Sequence, residues 1–167
     1  AVFALARMQP RTWLDRVAAM SNIRWVGIYR PFGAALADAR GDLMRVQPVQ
    51  FIEGRRHPRY YFASEVVAIQ DIQDFVRKLA SDRFDKQAAF ITEPAFAAAK
   101  GTVREWTETT NTARIEVEST GRGFLVISVT PHKYWRLTID GQPARAIVTN
   151  IGYQGVVVPP GRHVVEM

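Results

Sequence analysis

The sequence predicts a fold of the α+β class that is mainly β: an antiparallel β-sandwich of the jelly-roll or immunoglobulin-like type, with two or more N-terminal helices packed against it. Two observations predict this fold. From Gly101 onward, apolar and polar residues alternate with a period of two, as in strands that bury one face. Turn residues interrupt the alternation about every ten residues, which is typical of a sandwich or barrel and not of a parallel sheet.

Two N-terminal segments have the period of an amphipathic helix instead. We expect helices over residues 10–21 and 71–81. The apolar residues at helical spacing are Trp13, Val17 and Met20 in the first and Ile72, Phe75, Val76 and Leu79 in the second. Asp71 is placed to cap the second helix, and Arg77 and Lys78 fall in its later turns, where the helix dipole favours cations.

Strands are expected where apolar runs are bounded by turn residues. In the first hundred residues these runs cover 23–29, 43–52, 60–69 and 87–92. Two later runs alternate apolar with polar residues, namely Ala113, Ile115 and Val117 in one and Trp135, Leu137 and Ile139 in the next. Asp140-Gly141 follows the second run and is a type I′ hairpin signal. We expect one domain over residues 1–167, with a mixed α/β part at 1–100 and an antiparallel β part at 101–167.

Composition limits the class of protein. The chain has 167 residues, 47% of them hydrophobic, and no cysteine. This hydrophobic content is too high for a disordered chain, and without thiols the chain has neither a disulfide scaffold nor a thiolate metal site. No apolar run approaches the roughly 20 residues that cross a bilayer. Because the chain begins without Met and ends inside an apolar stretch, we expect it to be a fragment of a longer polypeptide.

The net charge of +6 comes from the N-terminal third of the chain. Residues 1–62 hold ten Arg and four acidic residues, while the remainder holds twelve charges of each sign. Such a basic segment attracts nucleic acid, anionic lipid headgroups or a phosphorylated substrate. Aromatic residues interleave with arginines from Trp13 to Phe32, but strand alternation places them on opposite faces, and no nucleic-acid-binding motif accompanies them. We therefore expect no nucleic-acid partner.

A basic loop precedes the strand expected at residues 60–69. Arg55, Arg56 and Arg59 lie in this loop and are able to hold a phosphate or an anionic headgroup through charge-assisted hydrogen bonds. The alternative is a solvated loop in which Pro58 and Arg59 set the direction of the following strand.

Tyr134 and Trp135 are expected to be neighbours on one strand, so their side chains point to opposite faces. Trp135 shares its face with Leu137 and Ile139 and is expected in the core. Tyr134 is then exposed, and its ring is able to stack on a sugar. The alternative is a tyrosine that only packs against its neighbours.

No residue pattern indicates catalysis. Glu116 and Glu118 share a strand face, as alternation alone requires, and Asp140 belongs to a turn signal. The three histidines have no partner at metal-ligand spacing. Neither the serine-hydrolase elbow nor the phosphate-binding P-loop motif occurs. We therefore expect no enzyme activity, no cofactor and no metal.

Several stretches occur in an order that resembles a known family. They are an apolar strand at 123–128, a tryptophan strand at 134–141 that ends in Asp-Gly, a valine strand at 155–165 that runs into Pro-Gly-Arg-His, and two N-terminal stretches at 20–26 and 57–62. Together they resemble the C-terminal extracytoplasmic domain of YfhO-type bacterial membrane proteins, over residues 12–167. Tyr134 departs from that family, which usually has Gly before its Trp.

This resemblance implies a soluble domain tethered to a polytopic membrane protein of glycosyltransferase type, on the periplasmic or extracellular side of a bacterial membrane. The domain is then a non-catalytic accessory that binds a glycan, a lipid-linked sugar phosphate or an anionic lipid headgroup, with Arg55, Arg56, Arg59 and Tyr134 as contacts. Its other partner is the transmembrane portion of its own parent chain. The alternative, a structural or protein-interaction domain without a small-molecule ligand, predicts an exposed apolar patch on the order of several hundred Å².

Overall fold

A computed structural model describes residues 10–20, 25–29, 49–53, 57–150 and 152–167. The chain divides into two compact units, one formed by Ala1–His57 and Ile72–Lys86 and the other by Pro58–Asp71 and Gln87–Met167. The predicted fold class is confirmed, because the described residues are mainly β, with two helices and two large sheets. Within the described ranges, no helix is both long and apolar enough to span a membrane.

The described part of the first unit contains two helices and a pair of strands. These elements are α1 (Pro10–Met20), β1 (Trp25–Tyr29), β2 (Val49–Glu53) and α2 (Ile72–Ala80), and β1 pairs with β2 in antiparallel fashion. Both helices lie within one residue of their predicted limits. The guanidinium of Arg16 on α1 donates hydrogen bonds to the carbonyl oxygens of Leu79 (2.5 Å) and Ser81 (2.9 Å). Carbonyls at a helix C-terminus lack partners within the helix, so Arg16 fastens α1 to the end of α2.

Helix α2 buries one face, as its period predicts. Phe75, Val76 and Leu79 are buried on this face, while Ile72, at the first position of the same stripe, is 49% exposed. Asp74 is also buried. Its carboxylate pairs with the ammonium of Lys78 at 2.8 Å, one helical turn away, and this pairing offsets the cost of burying a charge.

The second unit is a sandwich of two sheets. Its strands are β3 (Tyr60–Phe62), β4 (Val66–Ala68), β5 (Ala89–Ile91), β6 (Gly101–Glu108), β7 (Ala113–Ser119), β8 (Gly123–Ile127), β9 (Leu137–Ile139), β10 (Gln142–Ala144), β11 (Ile147–Thr149), β12 (Tyr153–Val158) and β13 (Gly161–Glu166). The five-stranded sheet has the order β10-β9-β13-β7-β6, and the six-stranded sheet has the order β3-β8-β12-β11-β5-β4. Among these described strands, only β4 and β5 pair in parallel. The six-stranded sheet takes strands from both sides of residue 100, so the predicted α/β and β parts do not coincide with the two units.

The two sheets differ in how many faces they bury. On β7, Ala113, Ile115 and Val117 point into the core between the sheets, while the residues between them stay largely in solvent, as the alternation predicts. On β8 every residue is buried, because Leu125 faces that core and Phe124 faces a second apolar cluster on the other side of the sheet. The outer face of the five-stranded sheet is therefore open to solvent and carries most of its charges.

The segment around Tyr134 and Trp135 corrects one prediction. The strand begins only at Leu137, and the chain makes a turn at Lys133 and Tyr134. Trp135 is half-buried and lies outside the strand, so its assignment to the core was wrong. A tryptophan next to apolar residues gives the same period in a loop that leads into a strand, which is why the pattern misleads here.

The hairpin predicted at Asp140-Gly141 is confirmed. The φ angles of Asp140 and Gly141 are 51° and 77°, and Ile139 pairs with Gln142 across the turn. Positive φ at both central residues defines a type I′ turn, whose twist matches that of the flanking strands. The run expected as one strand at 60–69 instead forms two short strands, β3 and β4.

Candidate functional site

The four predicted contact residues do not form one cluster. Arg55 and Arg56 lie outside the described residues. Arg59 immediately precedes β3, and its guanidinium Nε lies 3.4 Å from Oε2 of Glu108. Its carbonyl oxygen accepts a hydrogen bond from the Ser128 amide at 2.8 Å. Arg59 is thus engaged with the end of β6 and with the chain that leaves β8.

Tyr134 is exposed, as predicted, but its neighbours are not those of Arg59. It is 74% exposed and lies in the turn rather than on a strand. The ammonium of Lys133 lies 5.0 Å from its ring centroid, and the His132 ring lies 4.9 Å from it. The two described members of the predicted set therefore belong to separate side-chain clusters.

A rigid aromatic corner lies beside Arg59. The Tyr60 hydroxyl donates a hydrogen bond to Oε2 of Glu108 at 2.7 Å. Burial and this carboxylate raise the pKa of Tyr60 to about 12, so the hydroxyl keeps its proton. The Trp106 ring packs edge-on against the Tyr60 ring with the centroids 6.2 Å apart, yet Trp106 is 52% exposed. The fixed Tyr60 therefore holds an exposed indole in one place on the edge strand β6.

Next to this corner, a bulge in β6 brings an arginine onto the outer face of the five-stranded sheet. The pairing register with β7 shifts between Val103 and Glu105, which leaves Arg104 as the extra residue. The Arg104 guanidinium contacts Oε2 of Glu118 at 2.6 Å and 3.1 Å. Nε of Arg162, on β13, lies 3.5 Å from the same oxygen. The hydrogen bond from Arg104 lowers the pKa of Glu118, which stays ionised and orients both arginines.

The Asp140 turn carries a second charged pair. One carboxylate oxygen of Asp140 accepts a hydrogen bond from the Val164 amide at 2.8 Å, and the other lies 2.6 Å from Nδ1 of His163. Nε2 of His163 lies 3.1 Å from the Pro160 carbonyl oxygen. A carbonyl only accepts, so both ring nitrogens are best satisfied as donors, in the imidazolium form.

The pKa directions agree with this ionic pair. The hydrogen bond with Asp140 raises the pKa of His163, and the same bond lowers the pKa of Asp140. Asp140 therefore acts as an acceptor and not as a general acid, which needs its pKa raised instead.

We call the resulting concavity the sheet groove. It is lined by Arg104, Glu116, Asp140, Arg162 and His163. Trp106 pairs with the core residue Ile115, so its indole points to the other face of the sheet, at the edge strand β6 beside the groove. The larger part of the groove has a volume of about 380 Å³, and a smaller hollow of about 100 Å³ beside Trp106 adjoins it through Glu116. The groove offers carboxylate and guanidinium groups, and the exposed Trp106 ring lies around the edge of β6 from them. Together these side chains are suited to bind a polyhydroxylated ligand without reacting with it.

Sequence reasoning missed most of the sheet groove. Glu116 was placed correctly on an exposed strand face, but the bulge that turns Arg104 outward leaves no trace in a period of two. The contact between Asp140 and His163 depends on β9 pairing with β13, and no local motif encodes that pairing. The Asp-Gly turn was the one usable signal, and it predicted the backbone but not the partner of the carboxylate.

Comparison of this chain with known proteins gives no match, whether to a protein-family model, to a curated protein or to a solved structure. The resemblance of residues 12–167 to the YfhO-type domain therefore stays a prediction. Across the described part of the chain, no group of three or more His, Asp or Glu side chains is arranged to hold a metal ion.

Proposed function

We propose that this chain is a non-catalytic, extracytoplasmic accessory domain of a polytopic, glycosyltransferase-like membrane protein. In this proposal the sheet groove binds the sugar part of a glycan or of a lipid-linked sugar phosphate. The observation that carries the proposal is the position of Trp106, which is half-exposed and rigidly held at the edge strand β6, beside a groove of ionised side chains on the other face of that strand.

The chemistry of the sheet groove supports a sugar ligand. A pyranose ring has an apolar face that stacks on an indole, and its hydroxyls donate to carboxylates and accept from guanidinium groups. Trp106 supplies the indole, Glu116 and Asp140 supply acceptors, and Arg104 and Arg162 supply donors.

The groove is also ordered before any ligand arrives. Tyr60 fixes the Trp106 ring, Glu118 fixes Arg104, and His163 fixes Asp140. Ordering these side chains in advance removes an entropic cost that binding otherwise incurs. A shallow polar groove of this kind is suited to hold a sugar weakly and reversibly, as an accessory domain requires.

Two parts of this proposal derive from the family resemblance. One is the location outside the cytoplasm, and the other is the transmembrane portion of the parent chain as a partner. Arg55, Arg56, Arg59 and Tyr134 stay predicted contacts that lie outside the groove or outside the described residues. The complete reading frame tests this placement, since we expect about ten membrane spans ahead of this segment. A reading frame without such spans would remove the basis for the membrane-associated role.

A protein-docking role without a ligand receives less support. It predicts a continuous exposed apolar patch, but the large hydrophobic residues that are exposed in the described ranges lie on four different elements. They are Ile72 on α2, Trp106 on β6, Tyr134 in the turn before β9, and Val148 on β11.

Sugar binding is tested by titrating the isotope-labelled chain with maltose, cellobiose, N-acetylglucosamine oligomers and glucose 1-phosphate, and following the indole N–H signals by NMR. We expect the Trp106 signal to shift at millimolar sugar. The Trp106→Ala variant should weaken binding about tenfold, because stacking is lost, while Trp106→Phe should keep part of the affinity.

Val148→Ala is the matched control, since it removes exposed apolar surface from the other sheet and should leave sugar binding unchanged. The proposal fails if no sugar in the panel shifts the Trp106 signal, or if Trp106→Ala binds as well as the unaltered chain.

A further inference from the structure

A second concavity lies in the second unit, mainly beside the six-stranded sheet, and its chemistry differs from that of the sheet groove. It has a volume of about 530 Å³ and lies where the chain passes from β10 to β11 and where it leaves β5. Its apolar lining, which we call its floor, includes Ile91, Phe96, Ile147 and Val157. We call it the Phe96 cleft. Of the eleven residues that line it, eight are apolar and only Glu93, Arg122 and Arg145 are charged.

Arg122 is the most informative residue of the Phe96 cleft. Its guanidinium carbon lies 4.1 Å from the centroid of the Phe96 ring, and this cation–π contact holds the cation at the wall of the cleft. The Phe96 ring in turn packs edge-on against Phe124, a fully buried residue of β8, at 6.2 Å. No carboxylate in the described part of the chain lies within ion-pair distance of Arg122. Its donors are therefore ordered, exposed and available to an anion.

The other two charged residues neutralise each other. Arg145, in the segment between β10 and β11, pairs with Glu93, which follows β5. The charge that remains at the cleft is the positive charge of Arg122. A ligand complementary to this surface is apolar over most of its length and carries a negative group at one position.

We propose that the Phe96 cleft binds an amphiphilic anion, namely an aliphatic chain that ends in a phosphate or carboxylate. The chain lies along the apolar floor, and the anionic group accepts hydrogen bonds from Arg122 while the Phe96 ring supports the guanidinium. The side chains of the eight apolar lining residues offer no hydrogen-bonding groups for a bare sugar, so this ligand class differs from the one proposed for the sheet groove. The inference does not depend on the proposed sugar binding, because the two sites share no lining residue.

The test is calorimetric titration of the whole chain with octyl phosphate below its micelle-forming concentration. Octyltrimethylammonium provides the same chain with the opposite charge, and inorganic phosphate provides the charge without the chain. We expect octyl phosphate to bind at least about tenfold more tightly than either control. Only octyl phosphate has both an alkyl chain to pack on the apolar floor and a negative group to accept hydrogen bonds from Arg122.

Two substitutions at exposed positions test how much charge contributes to octyl phosphate binding, without disturbing the core. Arg122→Gln should weaken octyl phosphate binding roughly tenfold, and Ala95→Asp, which places a negative charge at the exposed rim, should weaken it by a similar factor. Arg136→Gln removes an equally exposed arginine outside the cleft and is the matched control. Arg104→Gln changes the sheet groove and should not affect octyl phosphate.

The source of the anion is distinguished by vesicles of phosphatidylglycerol and of phosphatidylcholine. Binding to phosphatidylglycerol vesicles that is lost in Arg122→Gln assigns the ligand to a membrane lipid, whereas binding to soluble octyl phosphate alone assigns it to a free amphiphile. The proposal is overturned if octyl phosphate binds no better than octyltrimethylammonium, or if Arg122→Gln and Ala95→Asp leave its affinity unchanged. Loss of sugar binding in Trp106→Ala bears only on the sheet groove.

Discussion

The two sheets of the sandwich are built from similar strands but use them differently. The six-stranded sheet is buried on both faces along β8, where Leu125 faces one apolar cluster and Phe124 the other. The five-stranded sheet buries only one face, and β7 alternates Ile115 in the core with Glu116 in solvent. A doubly covered sheet has its residues constrained by packing on both sides, whereas a singly covered sheet has one face free to carry charges and to bind.

The largest difference between the sheets should appear in the free energy of unfolding. Leu125→Ala removes a fully buried side chain from β8 and should lower this free energy by about 2–5 kcal/mol, because it loses apolar burial and leaves a cavity. Glu116→Ala, on the exposed face of β7, should change it by no more than about 0.5 kcal/mol. Denaturant titration of both variants measures the contrast. Equal destabilisation would mean that the outer face of β7 is not free.

A smaller effect should follow from crowding the doubly covered sheet. A Cβ atom at Gly155 on β12 would lie 2.5 Å from the Phe124 ring and 2.9 Å from the Leu125 carbonyl oxygen. Gly155→Ala should therefore lower the free energy of unfolding by about 1–3 kcal/mol. Gly152→Ala is the control, since a Cβ there meets nothing within 4 Å. Thermal unfolding of the two variants provides the measurement, and similar melting temperatures would refute close packing around Gly155.

The smallest expected effect concerns the pH dependence of the singly covered sheet. His163 has its pKa raised, so its contribution to stability is complete below its ordinary value of 6.5 and is lost as pH rises through the folded-state value. Asp140 has its pKa lowered, so its contribution is complete above its ordinary value of 3.8 and is lost as pH falls through the folded-state value. The pair therefore stabilises the turn most between these two ordinary values, near pH 5.

Comparing His163→Gln with the unaltered chain by denaturant titration at pH 5 and pH 9 tests this window. The variant should be less stable at pH 5, and the difference should shrink at pH 9. A difference that is the same at both pH values would show that the pair is not ionic. Leu125→Ala serves as the reference, because its cost should not follow the titration of His163.

How well the sequence predicts each region depends on whether local or long-range contacts decide the structure. The limits of α2 and the alternation of β7 follow from local period, and the Asp140-Gly141 turn follows from the conformations that these two residue types tolerate. Trp135 was misplaced because a single apolar residue beside a strand cannot show where pairing begins. The exposure of Ile72 was not predicted, because helical period does not show how far along the helix the covered face extends.

The candidate site was predicted less well than the fold. The predicted contact residues were chosen as local concentrations of charge or as an exposed aromatic residue. Arg104 and Arg162 instead meet at Glu118 because β6 and β13 both pair with β7, and His163 meets Asp140 across 23 positions of sequence. Arg122, which contacts Phe96, and Arg145, which pairs with Glu93, are likewise far from their partners in the sequence. These side-chain clusters depend on the register in which the strands pair, and that register is fixed only when the whole sheet has formed.

The order in which the chain visits its two units has a practical consequence for anyone who wishes to shorten it. The polypeptide crosses between the units after His57, after Asp71 and after Lys86. A shortened polypeptide that starts at Pro58 would therefore still carry α2, but without Arg16 to secure its last turn and without the helix that supplied it. The apolar residues Phe75, Val76 and Leu79 would then belong to a helix that has lost the rest of its unit. Isolating the sandwich therefore also means replacing residues 72–86, and because β4 and β5 pair in parallel, the replacement must be a polar linker long enough to return the chain to the start of β5.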